Sequence, residues 1–167
     1  HYDLDVVDAE ASGHIVAQVG APLVIRDLVN VGLVREQTDW MLALLQDPAI
    51  TAVAIVTTPE EMPVTETIGL IERLGSETGV QPSVLIANRV LPALFDRRQA
   101  EVVERLGEAE SLLVDAAGGG ARAVFEAARI TDARRRIGAQ HLDRLSAVVD
   151  GLPMLIVPEL YTRATGR

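Results

Sequence analysis

Four short β-branched apolar runs constrain this chain more than anything else in it: Asp3–Asp8, Ala52–Thr57, Ser83–Ala87 and Pro153–Val157. Each is too short for a helix and is bounded by turn residues, the pattern of buried parallel strands. Between them, apolar residues recur at helical spacing. Strands alternating with helices imply right-handed βαβ units. The predicted fold class is therefore α/β, a three-layer parallel sheet flanked by helices. A length of 167 residues allows one domain with a sizeable core. Hydrophobic residues make up 49% of the chain but aromatics only 3%, so that core must be Val, Leu, Ile and Ala.

The helical stretches have readable limits. Pro22–Gln46 predicts one long helix or two with a break near Gly32, stopped by Asp47-Pro48. Trp40 is expected in the core or an interface. Thr57–Pro63 forms a strand-to-helix loop opening a helix over Val64–Leu74. Pro63 suits its first turn, and Glu60 and Glu61 suit its positive dipole end, with no catalytic role required. Ile68, Leu70, Ile71 and Leu74 then face the sheet. Arg97–Val114 reads as a helix with a charged outer face, and a last long helix runs to about Val149. Gly118-Gly119-Gly120 follows a helix rather than a strand and lacks a Gly-Lys-Ser/Thr sequel, so it reads as a joint and not a phosphate loop. Arg134-Arg135-Arg136 reads as a solvated helix face.

Several chemistries are excluded outright. All 15 basic residues are arginine, which rules out a Schiff-base lysine and a phosphate-loop lysine within this chain. Without cysteine there is no disulfide and no thiolate metal site. A net charge of -9 gives no electrostatic attraction to nucleic acid or anionic lipid. No nucleophile elbow and no zinc-type histidine spacing occurs. No apolar run reaches the roughly 18–20 residues that span a bilayer. With no transmembrane segment and no signal-peptide pattern, the default expectation is a soluble cytoplasmic protein.

Ligands of open α/β sheets sit outside the carboxyl ends of the strands. Asp8 falls at such an end. It can hold hydrated magnesium, or it can simply cap the following helix or form an Asx turn. Ser12, Gly13 and His14 follow in the small-residue turn, where His14 can sense a nucleotide or be a hydrogen-bonded structural residue. Asn88 ends the third run, as an adenine-matching carboxamide or as a turn residue. Pro158-Glu159-Leu160-Tyr161-Thr162-Arg163 occupies the same edge after the fourth. His141, inside the last helix, reads as structural or exposed.

These segments together resemble a known family. Tyr2–His14 resembles the Asp-Thr-Ala-Pro-Thr-Gly-His segment of ArsA-type anion-transporting ATPases, which include the arsenite-pump and tail-anchored-protein-targeting ATPases. Val56–Thr67 is similar to the family's strand–Pro-Glu–helix segment. Ala87-Asn88-Arg89-Val90-Leu91-Pro92 resembles its adenine-side motif, and Leu155–Arg163 its C-terminal Pro-to-Arg loop. The matches come in family order over nearly the whole chain. In the family a Gly-rich phosphate loop with its lysine precedes the first segment; none occurs here. Glu10 and Ala11 stand where the family has a small residue and proline, and the C-terminal loop lacks the Glu-x-Arg-Gly order. With no cysteine, neither arsenite-triggering thiols nor a zinc-binding pair can be present.

The resemblance implies an incomplete P-loop NTPase-like fold, with residues 1–167 the C-terminal portion of one ATPase domain and a helical segment at about 96–149. It implies that Asp8 coordinates magnesium through water and acts with His14 in catalysis, with Ser12 and Gly13 in the switch. It implies that Asn88 recognises adenine, bordered by Pro158, Glu159 and Arg163. Mg2+ and ATP are the implied cofactors of the full-length hydrolase, with neither expected tightly bound to this chain and the isolated chain inactive. A homodimer or paralogous ArsA-like subunit is the implied partner, with a membrane transporter or protein cargo receiving the work. The alternative is a non-catalytic ArsA-like binding subunit or scaffold.

Overall fold

The computed structural model describes residues 3–9, 12–109, 112, 115 and 120–160. Its centre is a three-stranded parallel sheet in the order β1 (Val53–Thr57), β2 (Pro82–Val90), β3 (Met154–Pro158). Three of the four predicted strands form, within a few residues of their expected ends. Before β1 come helices α1 (Ser12–Leu28) and α2 (Leu33–Gln46). Between β1 and β2 lies α3 (Glu61–Arg73), prolonged by a π-helical turn at Leu74–Thr78; between β2 and β3 lie α4 (Arg97–Glu108) and α5 (Gly120–Val148). The α/β class with a parallel, helix-flanked sheet is as the sequence implies.

Local chemistry explains the boundaries. Gly32, at φ 97, breaks the helical run at the expected place, and Arg35 reaches back to the Arg26 carbonyl at 2.9 Å, satisfying a free acceptor at the end of α1. Asp47 stops α2 with an Asx turn, its Oδ1 accepting from Ala49 N–H at 2.9 Å. Asp96 and Gln99 form a reciprocal capping box that opens α4. Pro63 lies in the first turn of α3, where its missing N–H costs nothing. Gly118 and Gly119 fall outside the described residues, and Gly120 opens α5.

A strand order advancing in one direction with right-handed crossovers puts both crossover helices on the same face. Burial follows that rule. Ile55 and Leu85, partners in register, lie in one core with Val16, Val64, Leu74, Leu145 and Val149. Ile68, Leu70 and Ile71 pack against this core, and Leu74 is inside it, as their spacing predicts. Burying each such side chain stabilises by about 1.5–3 kcal/mol. On the opposite face Val56 and Leu155 flank Ile86 and are 59% and 55% exposed.

One expectation needs correction and another narrows. Asp3–Asp8 forms no strand: residues 4–9 carry no regular structure, and Leu4, Val6 and Val7 are 78–84% exposed. A β-branched run becomes a strand only when a neighbour takes its backbone N–H and C=O groups, and among the described residues none does. Of the two places expected for Trp40, core or interface, the core is ruled out: it is 64% exposed on α2. Its helical spacing matched a buried face, but Thr38 and Leu42 are the buried residues there.

Candidate functional site

Parallel strands gather their carboxyl ends at one edge, and there the chain builds a cavity of about 390 Å³. The Thr58–Glu61 loop entering α3 forms one wall and Arg89 with Leu91 at the end of β2 another. Glu159 closes it after β3. The roof is α5, which contributes Arg134, Ile137 and His141. Gly138 makes that roof possible: a β-carbon there would lie 3.1 Å from the Pro59 carbonyl oxygen.

The end of β2 is irregular. Ala87 pairs with Ile156 and Val90 with Pro158, so β2 advances three residues where β3 advances two, a bulge at Asn88–Arg89. Arg89 takes φ 58, the one non-glycine positive value among the described residues. Its backbone N–H donates to Asn88 Oδ1 at 2.9 Å. Its side chain donates from Nε to Glu159 Oε2 at 2.8 Å, across 70 residues of sequence. Glu159 N–H donates to the Val90 carbonyl at 2.9 Å, so the loop after β3 is tied by backbone as well as charge. The hydrogen bond and charge of Glu159 raise the Arg89 pKa above its ordinary value.

The residues expected on the phosphate side lie differently. Asp8 is in the exposed segment before α1. Ser12, Gly13 and His14 form the first turn of α1, with His14 exposed. Further along α1, a β-carbon on Gly20 would lie 3.5 Å from the Thr78 side chain, which precedes β2 at the amino end of the sheet. No hydrogen bond or ion pair among the described residues joins Asp8 or His14 to Asn88 or Glu159. No group of three or more His, Cys, Asp or Glu among them could hold a metal. A single carboxylate remains compatible with Mg2+, which keeps several waters and binds one or two carboxylates plus substrate phosphates. Arg163 falls outside the described residues.

The structure thus brings Asn88, Pro158 and Glu159 to one edge beside the cavity. It adds Arg89, Arg134 and His141, which the sequence reading left as a motif neighbour, a solvated face and a structural histidine. The spacing of 134, 137 and 141 on α5 carried a signal, since such positions share one helix face. Nothing local marked the pairing of Arg89 with Glu159. No helix among the described residues is long and apolar enough to cross a membrane.

Comparison with known proteins gives a consistent picture. The model of the anion-transporting ATPase family matches residues 11–116. A Halobacterium salinarum protein named for an arsenical pump-driving ATPase is 27% identical over 121 residues, covering 64% of this chain and 19% of the relative. ATPase BagA of Mycobacterium tuberculosis is 32% identical over 112 residues, covering 66% of this chain and 32% of the relative. A Mycobacterium bovis ATPase matches to the same extent. The chain spans between 19% and 32% of the length of these curated relatives.

Proposed function

We propose that this chain, which belongs to the anion-transporting ATPase family, is the base-recognising C-terminal part of an ATPase domain that binds Mg-ATP and hydrolyses it by phosphoryl transfer to water. The carrying observation is the tied carboxyl edge: the Asn88–Arg89 bulge and Glu159, brought from opposite ends of a crossover, stand beside a cavity where open α/β sheets take their ligands.

In this reading Asn88 pairs with the adenine edge, and Pro158, Glu159 and Arg163 border the base. Asp8 holds the water shell of Mg2+, while Ser12, Gly13 and His14 at the start of α1 form the switch that follows the state of the outer phosphate. The ion supplies charge neutralisation at the phosphate oxygens when bound. Ordered backbone N–H groups and a lysine ordinarily hold those oxygens, and this chain has no lysine. The intact protein therefore draws its phosphate grip from outside these 167 residues. Its hydrolysis drives a partner through closure of a homodimer or of a pair with a related subunit, in the cytoplasm.

Phosphate release tests this directly. The intact protein is expected to hydrolyse Mg-ATP, and the 167-residue chain alone to release none and to bind no tighter than about millimolar in a calorimetric titration. Micromolar binding with turnover by the chain alone would place the phosphate site within these residues and end the proposal. An intact protein that never releases phosphate would be a binding subunit instead.

A further inference from the structure

Arg89 occupies a backbone region unfavourable for any residue with a β-carbon, at φ 58. Such a conformation persists only where its surroundings hold it, and it sits in a bulge, a device that re-aims a side chain. The surroundings here are specific. Glu159 Oε2 accepts from the Arg89 Nε–H at 2.8 Å, and Glu159 N–H donates to the Val90 carbonyl at 2.9 Å. The Arg89 N–H, within the same bulge, donates to Asn88 Oδ1 at 2.9 Å. Only the oxygen of a carboxamide can accept that bond, so the Asn88 NH2 is left free to donate.

We propose that Arg89 is a positioning residue for base recognition. Clasped to Glu159, it holds the bulge and fixes the Asn88 carboxamide with its NH2 toward a ring-nitrogen acceptor of a purine. The inference rests on the base-side reading given above and names the residue that makes it selective. The pair's exposure supports an orienting role over a stabilising one: the Arg89 side chain is 68% and the Glu159 side chain 25% exposed, and such pairs add little to stability.

The test uses the intact ATPase with Mg2+ and two probes, ATP and inorganic tripolyphosphate. Arg89→Ala and Glu159→Gln are each expected to weaken ATP about tenfold, the scale of one hydrogen bond to a charged group, with tripolyphosphate unchanged. Arg89→Lys, which keeps the charge, should recover part of the loss. In an Asn88→Ala background Arg89→Ala should add nothing, since no carboxamide is left to orient. Equal loss for both probes, no loss for either, or an undiminished loss in the Asn88→Ala background would overturn the proposal. A separate outcome reports on its premise: if Asn88→Ala alone fails to separate ATP from tripolyphosphate, the base-side reading itself is wrong. Should a variant fold poorly in the intact protein, the Asn88 side-chain amide resonances of the 167-residue chain decide. Glu159→Gln is expected to move them toward the positions of a free amide, and unchanged resonances would overturn the clasp.

Discussion

The two sides proposed for the candidate site, base and phosphate, are built to different standards. The base side is cross-braced: β2 and β3 share a ladder, the loop after β3 continues it through Glu159 N–H, and an ion pair closes it across 70 residues. The phosphate side hangs from one connection, with Asp8 in exposed backbone ahead of the first turn of α1. The apolar residues around Asp8 are as β-branched as those of β1, so composition does not separate the two regions. Neighbours do. A site element is rigid only when several others fix it, and among the described residues the proposed base side meets that condition.

That contrast can be broken most severely at Asp8. In the intact protein Asp8→Asn is expected to lower magnesium-dependent turnover about a hundredfold, because an amide cannot supply the charge that orients the ion's water shell. The thermal midpoint of the isolated chain should not move, since Asp8 is exposed outside any regular element. A folding defect with normal activity in the folded fraction would return Asp8 to a capping role.

On the base side the expected losses are smaller and selective. Asn88→Ala in the intact protein should cost on the order of 1–3 kcal/mol in ATP binding with tripolyphosphate unaffected. Comparable loss for both ligands would remove the adenine assignment. Gly138→Val tests whether the roof over that edge depends on close approach. A β-carbon there would already crowd Pro59, at 3.1 Å from its carbonyl oxygen and 3.2 Å from its Cβ. Urea unfolding of the chain should show a loss of about 1–2 kcal/mol, at the low end for overpacking because a loop can yield.

The smallest effect concerns α5 itself. A hydrogen bond from Arg136, then one from Arg135, hold the Asp132 carboxyl below its usual range against a partial burial that raises it. A carboxyl depressed in the folded state stabilises above its unfolded pKa, and that stability is lost as pH falls through the folded value. Asp132→Asn should therefore cost about 0.3–0.5 kcal/mol near neutrality. The difference from wild type should shrink as pH falls through the depressed folded-state value, where the Asp132 carboxyl becomes neutral like the amide. A constant gap across that range would show that packing of the side chain matters rather than charge.

Much of the scaffold was legible before any coordinates. β-branched runs with turn residues at their ends fix strand type, and Gly32 and Asp47-Pro48 fix helix limits, because each acts on backbone within a few residues of itself. The family segments placed Asn88, Pro158 and Glu159 at one edge for the same reason: strand ends are local features, and parallel topology does the gathering. What the tertiary structure alone decided is everything that needs a distant partner. Asp3–Asp8 carries a strand's pattern and forms none, since strand pairing is a property of two segments. Arg134 and His141 became cavity walls because Gly138 lets α5 come down on Pro59. Arg89 adopts a conformation its own preferences oppose, and it does so because Glu159, from the far end of the chain, meets its side chain there.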